Sequence, residues 1–216
     1  MTDGLRADAI TKRFRGTTVL DGVDLQVAPG ALAVVTGSNG AGKTTLLRVF
    51  ATLLGPDTGS ASVDGFDVLR DASEVRRRIG VALVNDRGLY WRLSGERNLL
   101  FFAKALGMTR REAARRADEV TVQMGLSEII ARPVAGYSTG QRQRLILARA
   151  VLGAPTALLV DEPMRGLDDE GMARVRVALR ACADAGAAVL LAGPTIVEFG
   201  DICDVVHVLR AGKVAA

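Results

Sequence analysis

The sequence predicts an α/β fold built around a parallel sheet, and three observations carry this prediction. In the last third, the continuously apolar segments 157–160 and 187–192 flank a helical segment at 170–185, as in a sheet covered on both faces. Near the start, a glycine-rich loop at 37–44 joins an apolar strand to a helix. Between them, residues from about 90 to 155 show helical periodicity without a strand pattern. We therefore expect a strand-rich core with an inserted helical sub-lobe.

The first third consists of short predicted strands on either side of the glycine-rich loop. Apolar and polar residues alternate over 23–27, which is the period of a half-buried strand. A Pro-Gly pair at 29–30 predicts a turn, and the apolar run 31–36 predicts a strand buried on both faces. A helix is expected over 44–54 and a further strand over 60–64.

The middle and last thirds supply the remaining elements. Apolar residues at spacings of three and four predict helices from Glu96 to about Met124, and Thr109 is the expected N-cap of the second of these helices. Another helix is expected over 140–152. A short helix near 196–202 and a strand at 205–209 complete the prediction.

The composition indicates a single globular domain over residues 1–216. Hydrophobic residues make up 49% and charged residues 24%, which excludes a wholly disordered chain. The net charge of +4 is too small to favour a nucleic-acid partner. Cys182 and Cys203 lack metal-binding spacing, and neither a membrane span nor a signal-peptide pattern is visible. We expect a soluble, cytoplasmic protein that reaches a membrane only through a partner.

The glycine-rich loop has the GxxxxGK[ST] spacing of a phosphate-binding loop. Its glycines let backbone N–H groups turn inward around phosphate oxygens, and the following helix adds its positive end. Lys43 supplies a charge for the β- and γ-phosphates, and the Thr44 hydroxyl can ligate Mg²⁺. The residues expected to bind the nucleotide here are Gly37, Ser38, Asn39, Gly40, Ala41, Gly42, Lys43, Thr44 and Thr45.

An acidic pair completes the chemistry. The apolar strand 157–160 ends in Asp161 and Glu162. A carboxylate at the end of a strand beside the loop strand can hold Mg²⁺ through water, and Glu162 can act as the general base for the attacking water. The sequence therefore predicts nucleoside triphosphate hydrolysis, with Thr44 and Asp161 at the metal.

Further segments resemble those of a known family. Residues 137–141 (YSTGQ), hereafter the signature segment, resemble the LSGGQ signature of ATP-binding cassette (ABC) ATPases. The turn 166–168 (GLD) resembles the D-loop of that family, and Phe14 its adenine-stacking aromatic residue. The stretch 87–99 is similar to ABC domains that serve multi-chain exporters. The resemblance covers essentially the whole chain.

The resemblance implies a fold, partners and a reaction. The fold is expected to be a P-loop NTPase core of ABC type, with an N-terminal antiparallel β sub-lobe and an inserted helical sub-lobe. A second ABC domain, identical or different, would form a head-to-tail dimer in which Ser138, Gly140 and Gln141 contact the γ-phosphate held by the partner's loop. ATP and Mg²⁺ are the implied cofactors, and Asp168 would assist Glu162 in catalysis. Integral membrane permease subunits on separate chains would hold the protein at the inner face of the cell membrane and export a substrate.

Two residues that the family pattern includes are absent. In place of a glutamine that touches Mg²⁺ the chain has Asn85, with Asp86 as the competing assignment. In place of a histidine that contacts the γ-phosphate it has Pro194, which offers no side-chain donor. The single histidine, His207, lies in the next strand and is expected to be a partly exposed strand residue. These departures predict slow hydrolysis; the alternatives are an impaired regulatory subunit or a soluble ABC ATPase without a transport role.

Overall fold

The computed structural model describes residues 3–83, 88–199 and 202–215, which fold into two sheets with helices around them. The strands are β1 (Leu5–Phe14), β2 (Thr17–Val27), β3 (Leu32–Thr36), β4 (Thr58–Val63), β5 (Phe66–Asp67), β6 (Ile79–Ala82), β7 (Ala157–Asp161), β8 (Ala188–Gly193), β9 (Val205–Arg210) and β10 (Lys213–Ala215). The helices are α1 (Lys43–Phe50), α2 (Ala72–Arg78), α3 (Gly95–Ala105), α4 (Arg110–Gln123), α5 (Thr139–Val151) and α6 (Asp169–Asp184), with a 3₁₀ turn at Val134–Gly136.

The larger sheet forms the centre of the molecule. Its strand order is β10-β9-β3-β8-β7-β6, in which β6 to β9 and β3 are parallel and β10 pairs antiparallel with β9. Strands β3, β7 and β8 are buried along their whole length, as the continuously apolar runs predict. Alternate residues of these strands pack on the two faces: Leu32 and Val34 face α3 to α6, whereas Ala33 and Val35 face α1 and the smaller sheet.

The smaller sheet is antiparallel, with the order β2-β1-β4-β5. Its buried side chains, among them Leu5, Ile10 and Val23, pack with the apolar face of α1 and with one face of the larger sheet. Positive φ angles at Asp64 (51°) and Gly65 (81°) form the tight turn that joins β4 to β5. This arrangement is the antiparallel β sub-lobe expected at the N-terminus.

Helices α3, α4 and α5 form the helical part of the chain. Each begins at a polar N-cap whose side chain accepts a backbone N–H bond: Ser94 for α3, Thr109 for α4 and Ser138 for α5. The expectation for Thr109 is confirmed, and Glu112 completes its capping box. Among the described residues, no helix is both long and apolar enough to cross a membrane.

Two details of the expected fold are wrong, and a third falls partly outside the described residues. Helix α1 ends at Phe50 rather than near residue 54, because Thr52 takes a left-handed φ of 59° and breaks the helical path. Of the helix expected near 196–202, residues 196–199 form a turn, closed by Phe199 N–H donating to Ile196 O at 2.9 Å; residues 200 and 201 lie outside the described residues, and Ile202 is in a 3₁₀ conformation. Strand β7 does not lie beside β3, because β8 pairs with both and separates them.

Candidate nucleotide-binding site

The glycine-rich loop lies at the carboxyl end of β3, and close backbone packing requires glycine at two of its positions. A Cβ atom on Gly37 (φ 152°) would lie 2.2 Å from the carbonyl oxygen of Leu209. One on Gly42 (φ 107°) would lie 2.7 Å from the carbonyl oxygen of Val19. The loop is therefore held against β9 and β2 by its own backbone, which leaves its concave side to a ligand.

The loop interior is suited to an anion. Helix α1 begins at Lys43 after Gly42, with no side-chain cap and no acidic residue in its first turn, so its first N–H groups are available to phosphate oxygens. Lys43 is only 8% exposed. Its Nζ donates to Gly37 O at 2.6 Å and Ser38 O at 3.0 Å and thus crosses the loop. A concentrated positive potential in a glycine-lined cradle fits a polyphosphate.

Thr44 and Asp161, which are 117 residues apart in sequence, are in direct contact. The Thr44 hydroxyl donates to Asp161 Oδ2 at 2.7 Å, so α1 reaches over the end of β8 to the end of β7. Asp161 is 2% exposed, and burial raises the pKa of its carboxyl above the ordinary value, while the Thr44 hydrogen bond opposes that rise and the charge of Glu162 adds to it. A bound cation would stabilise this buried carboxylate, which lies next to a second negative charge.

The donors at this point fit Mg²⁺. A hydroxyl and a carboxylate are hard oxygen ligands, and Mg²⁺ typically takes one or two such protein ligands together with phosphate oxygens and water. In the described part of the chain no group of three or more His, Cys, Asp or Glu side chains converges on a metal position. The pair Thr44 and Asp161 therefore matches a metal that arrives with a nucleotide.

Glu162 follows Asp161 in an unusual backbone conformation. Its φ is 47°, in the left-handed region, and its N–H donates to Ala192 O at 2.8 Å. This turns the Glu162 side chain away from the strand and leaves it partly exposed, with Oε2 3.5 Å from Nη1 of Arg165. Strain of this kind is typical of functional positions. The structure thus places a carboxylate next to Asp161 and open to water.

Pro194 lies at the same edge of the sheet. It is exposed and directly follows β8, the strand between those that carry the loop and Asp161. His207 lies within β9, opposite Val35, where burial lowers the pKa of its imidazole. Its Nε2 is buried without a hydrogen-bond partner in the described part of the chain, and its ring lies near Gln26 on β2. His207 is accordingly a half-buried strand residue, placed towards the antiparallel sheet.

The signature segment forms the start of α5. Ser138 and Gln141 make a reciprocal capping box: Gln141 N–H donates to Ser138 Oγ at 3.1 Å, and Ser138 N–H donates to Gln141 Oε1 at 2.8 Å. Gly140 packs so closely on the D-loop turn that a Cβ there would lie 2.7 Å from Gly166 O. These contacts fix the first turn of α5. Its N-cap, Ser138, is exposed, so the N-terminal end of the helix faces solvent.

The remaining predicted residues are spread more widely. Asp168 caps α6 by accepting from Gly171 N–H at 2.8 Å, a structural role that spacing alone did not indicate. Phe14 ends β1 with its ring half-exposed, and Lys12 Nζ lies 5.7 Å from the ring centroid. Thr45 lies in α1 beside Thr44. Asn85 and Asp86 lie outside the described residues. The structure brings together the loop, Thr44, Asp161 and Glu162; the signature segment instead meets the D-loop.

Comparison with known proteins agrees with this arrangement. A family profile described as ABC transporter matches residues 20–165. The chain is 41% identical over 212 residues to the daunorubicin resistance ATP-binding protein DrrA3 of Streptomyces coeruleorubidus, covering 98% of this chain and 67% of that protein. It is 35% identical over 192 residues to the ABC transporter ATP-binding protein NatA of Bacillus subtilis (strain 168), covering 89% and 78%.

Solved structures show the same fold. The ATP-binding subunit of an ABC transporter superposes with a TM-score of 0.89 at 26% identity, covering 98% of this chain and 88% of that one. The dimeric bacterial ABC transporter cassette MJ0796 gives a TM-score of 0.88 at 23% identity, covering 98% and 97%. The α/β fold of ABC type is thereby confirmed. The chain belongs to the ABC transporter family, as an ATP-binding subunit of the ABC ATPase type.

Proposed function

We propose that this chain binds MgATP between its glycine-rich loop and the signature segment of a second ABC domain, and that hydrolysis there drives export through separate membrane subunits. The observation that supports this most strongly is the Thr44–Asp161 hydrogen bond of 2.7 Å, with Glu162 next in the chain. It joins a phosphate cradle, a metal ligand pair and a base at one edge of the sheet. The exposed position of Ser138 supports the dimer, since its capped helix end is free to meet a second molecule's phosphate.

Each residue of the site has a distinct task in this proposal. Lys43 and the N–H groups of α1 hold the phosphates, and Thr44 with Asp161 would hold Mg²⁺, which neutralises phosphate charge when bound. Glu162 accepts a proton from water as the water oxygen attacks the γ-phosphorus, and the bond from that phosphorus to the β-phosphate oxygen breaks. The products are ADP and inorganic phosphate.

The proposed membrane contact lies on the loop before α3. Tyr90 and Trp91 are 48% and 55% exposed, although both are large aromatics. Buried Asn98 fixes the loop: its Oδ1 accepts from Tyr90 N–H at 2.7 Å, and its Nδ2 donates to Tyr90 O and Ser94 O at 3.1 and 2.9 Å. A loop that is fixed in this way and leaves two large aromatic residues half-exposed favours a protein partner.

A second feature links this loop to the signature segment. The Arg142 guanidinium lies 5.4 Å from the centroid of the Trp91 ring, and it also donates to Tyr137 O and to Thr139 Oγ1. A partner that displaces Trp91 would therefore act on the start of α5. The membrane subunits, with the chain held peripherally at the inner face of the membrane, are the partner that this arrangement supports.

Cross-linking tests the membrane contact. Trp91→Cys is expected to give a specific adduct with the membrane subunit in the assembled transporter. Val177→Cys, on α6 and 69% exposed, is the matched control and should give none. An intact complex that yields no adduct from Trp91→Cys, or equal adducts from both variants, would contradict the contact.

For the transported substrate we propose an amphiphilic antibiotic. Support comes from the names of two relatives. DrrA3 is named for daunorubicin resistance, and the bacitracin transport ATP-binding protein BcrA of Bacillus licheniformis is 31% identical over 214 residues, covering 99% of this chain and 69% of that protein. The test is to grow cells that carry the chain together with its membrane subunits against a panel of such antibiotics. Lys43→Ala should abolish any resistance; resistance that persists in this variant would contradict ATP-driven export.

We further propose that turnover is slow, because Pro194 occupies the position where a γ-phosphate donor is expected. Removing one transition-state donor typically lowers the rate by ~10²–10³. Pro194→His should raise phosphate release about tenfold or more, because the imidazole restores a donor at this position. Ordinary turnover in the wild type, together with no change in Pro194→His, would show that the missing histidine has no consequence.

A further inference from the structure

Arg165 is placed over Glu162 by the backbone between them. Residues 162–165 form a turn in which Arg165 N–H donates to Glu162 O at 3.2 Å, and Pro163 occupies the second position, where its fixed φ favours such a turn. Gln143 Nε2, from α5, approaches the same carbonyl at 3.4 Å. Because backbone contacts set this geometry, the Arg165 side chain can be changed without altering the path of the chain.

Within this turn the guanidinium faces the carboxylate. Arg165 Nη1 lies 3.5 Å from Glu162 Oε2, and the Arg165 side chain is 60% exposed. An ion pair this exposed contributes only about 0–1 kcal/mol to folding. Arg165 therefore adds little to stability. A cation at this position can instead orient the partly exposed carboxylate of Glu162.

As the base proposed above, Glu162 needs a partner that orients its carboxylate. Its carboxylate follows that of Asp161, and the two negative charges repel each other. The neighbouring end of β8 continues into Pro194, which has no side-chain donor to direct the carboxylate. In the part of the chain that the structure describes, Arg165 is the cation in contact with Glu162.

We propose that Arg165 is a positioning residue for ATP hydrolysis: its guanidinium holds Oε2 of Glu162, so that Oε1 faces the attacking water and accepts its proton. The proton passes from water to Oε1, the water oxygen forms the new bond to the γ-phosphorus, and the bond to ADP breaks; Arg165 itself gains and loses no proton, since a guanidinium stays charged. The role rests on the function of Glu162 proposed above.

The first test separates kcat from KM. Arg165→Ala is expected to lower kcat for ATP by about tenfold, with KM changed less than about twofold, because an orienting group acts in the transition state and does not bind substrate. Arg165→Lys keeps the positive charge, although its ammonium donates from a single point, and should retain most of the wild-type kcat. The matched control is Arg174→Ala, which removes a comparable exposed ion pair, Arg174–Glu170, on α6 and should leave both constants unchanged.

The second test asks whether Arg165 acts through Glu162. In a Glu162→Gln background, Arg165→Ala should cause no further loss of single-turnover ATP cleavage and should change MgATP affinity by calorimetry less than about twofold. A tenfold weaker affinity would instead make Arg165 a phosphate ligand, an added rate loss would make it independent of Glu162, and a higher kcat in Arg165→Ala would make it an inhibitory contact. Each of these outcomes overturns the positioning role. Wild-type cleavage that Glu162→Gln leaves unchanged would instead refute the assignment of Glu162 itself.

Discussion

Replacing Asp161 by asparagine should stabilise the nucleotide-free protein while it destroys metal-dependent nucleotide binding. The Asp161 carboxylate is 2% exposed, and burial raises its pKa. A group whose folded-state pKa lies above its unfolded value stabilises the fold at low pH, and that stabilisation is lost as the pH rises through the folded pKa. At neutral pH the ionised Asp161 therefore lowers the free energy of unfolding.

The size of the effect follows from what asparagine keeps and removes. Its Oδ1 can still accept from the Thr44 hydroxyl, a hydrogen bond worth about 1 kcal/mol, while the buried charge is gone. Removal of the buried charge should therefore add about 1 kcal/mol to the free energy of unfolding, within the range of about 0.5–2 kcal/mol of single stabilising substitutions. For a chain of 216 residues that corresponds to a rise in Tm of about 2–4 °C.

With MgATP bound, the wild type should be more stable than Asp161→Asn, the reverse of the order without nucleotide. Ligand at about 100 times its Kd stabilises the wild type by about 2.7 kcal/mol, whereas Asp161→Asn lacks the carboxylate ligand and gains much less. Thermal unfolding without nucleotide at about pH 8 should show the variant more stable, and its advantage should shrink as the pH is lowered and Asp161 takes up a proton in the wild type.

A matched variant controls for the general effect of removing an acidic charge. Asp204 accepts from Leu32 N–H and from Arg180, both at 2.8 Å, and these contacts hold the pKa of its carboxyl below the ordinary value. Asp204→Asn should therefore destabilise the protein at neutral pH, the opposite sign. If nucleotide-free Asp161→Asn is less stable than the wild type at every pH, the buried charge is compensated in the fold and the reasoning is refuted.

Three further variants test other parts of the site. Lys43→Ala should weaken MgATP binding at least about tenfold by calorimetry, since the loop loses its positive charge; unchanged affinity would show that the loop is not part of the nucleotide site. Gly140→Ala should leave ATP binding to the monomer intact but weaken ATP-dependent dimerisation in sedimentation, because its Cβ would lie 2.7 Å from Gly166 O and shift the D-loop; undiminished dimerisation would contradict that packing. Asn98→Ala should lower the free energy of unfolding by about 1–3 kcal/mol in denaturant titration, because the backbone N–H and carbonyl of Tyr90 lose their hydrogen-bond partner; a neutral effect would contradict the fixed loop.

Local chemistry explains why much of the site could be predicted from sequence. The glycine-rich loop combines residue types that only a tight phosphate cradle requires, and a Cβ at Gly37 or Gly42 does collide with backbone. The buried strands β3, β7 and β8 are apolar throughout, so their place in a parallel sheet follows from burial on two faces. In both cases one short segment contains the whole reason for the local structure that it adopts.

The misses depended on contacts between distant segments or on backbone detail. Strand β1 was not predicted because its pattern is interrupted: Ala9 has a φ of 47°, and the pairing with β2 changes register there. The separation of β3 from β7 by β8 depends on sheet order, which spacing does not encode. The contact of Arg165 with Glu162 was also missed, although its signal was present as a Pro-containing turn that brings a cation back to the Glu162 carboxylate.

The central claim is that Glu162 is the base at an ATP site formed by the glycine-rich loop and Asp161. The most direct measurement compares the wild type with Glu162→Gln, recording ATP affinity by calorimetry and phosphate release by the assembled transporter. The claim predicts that the variant binds MgATP within about threefold of the wild type, because the amide is nearly isosteric, while phosphate release falls by ~10² or more, because an amide cannot take a proton from water. Phosphate release at the wild-type rate in Glu162→Gln would contradict the claim.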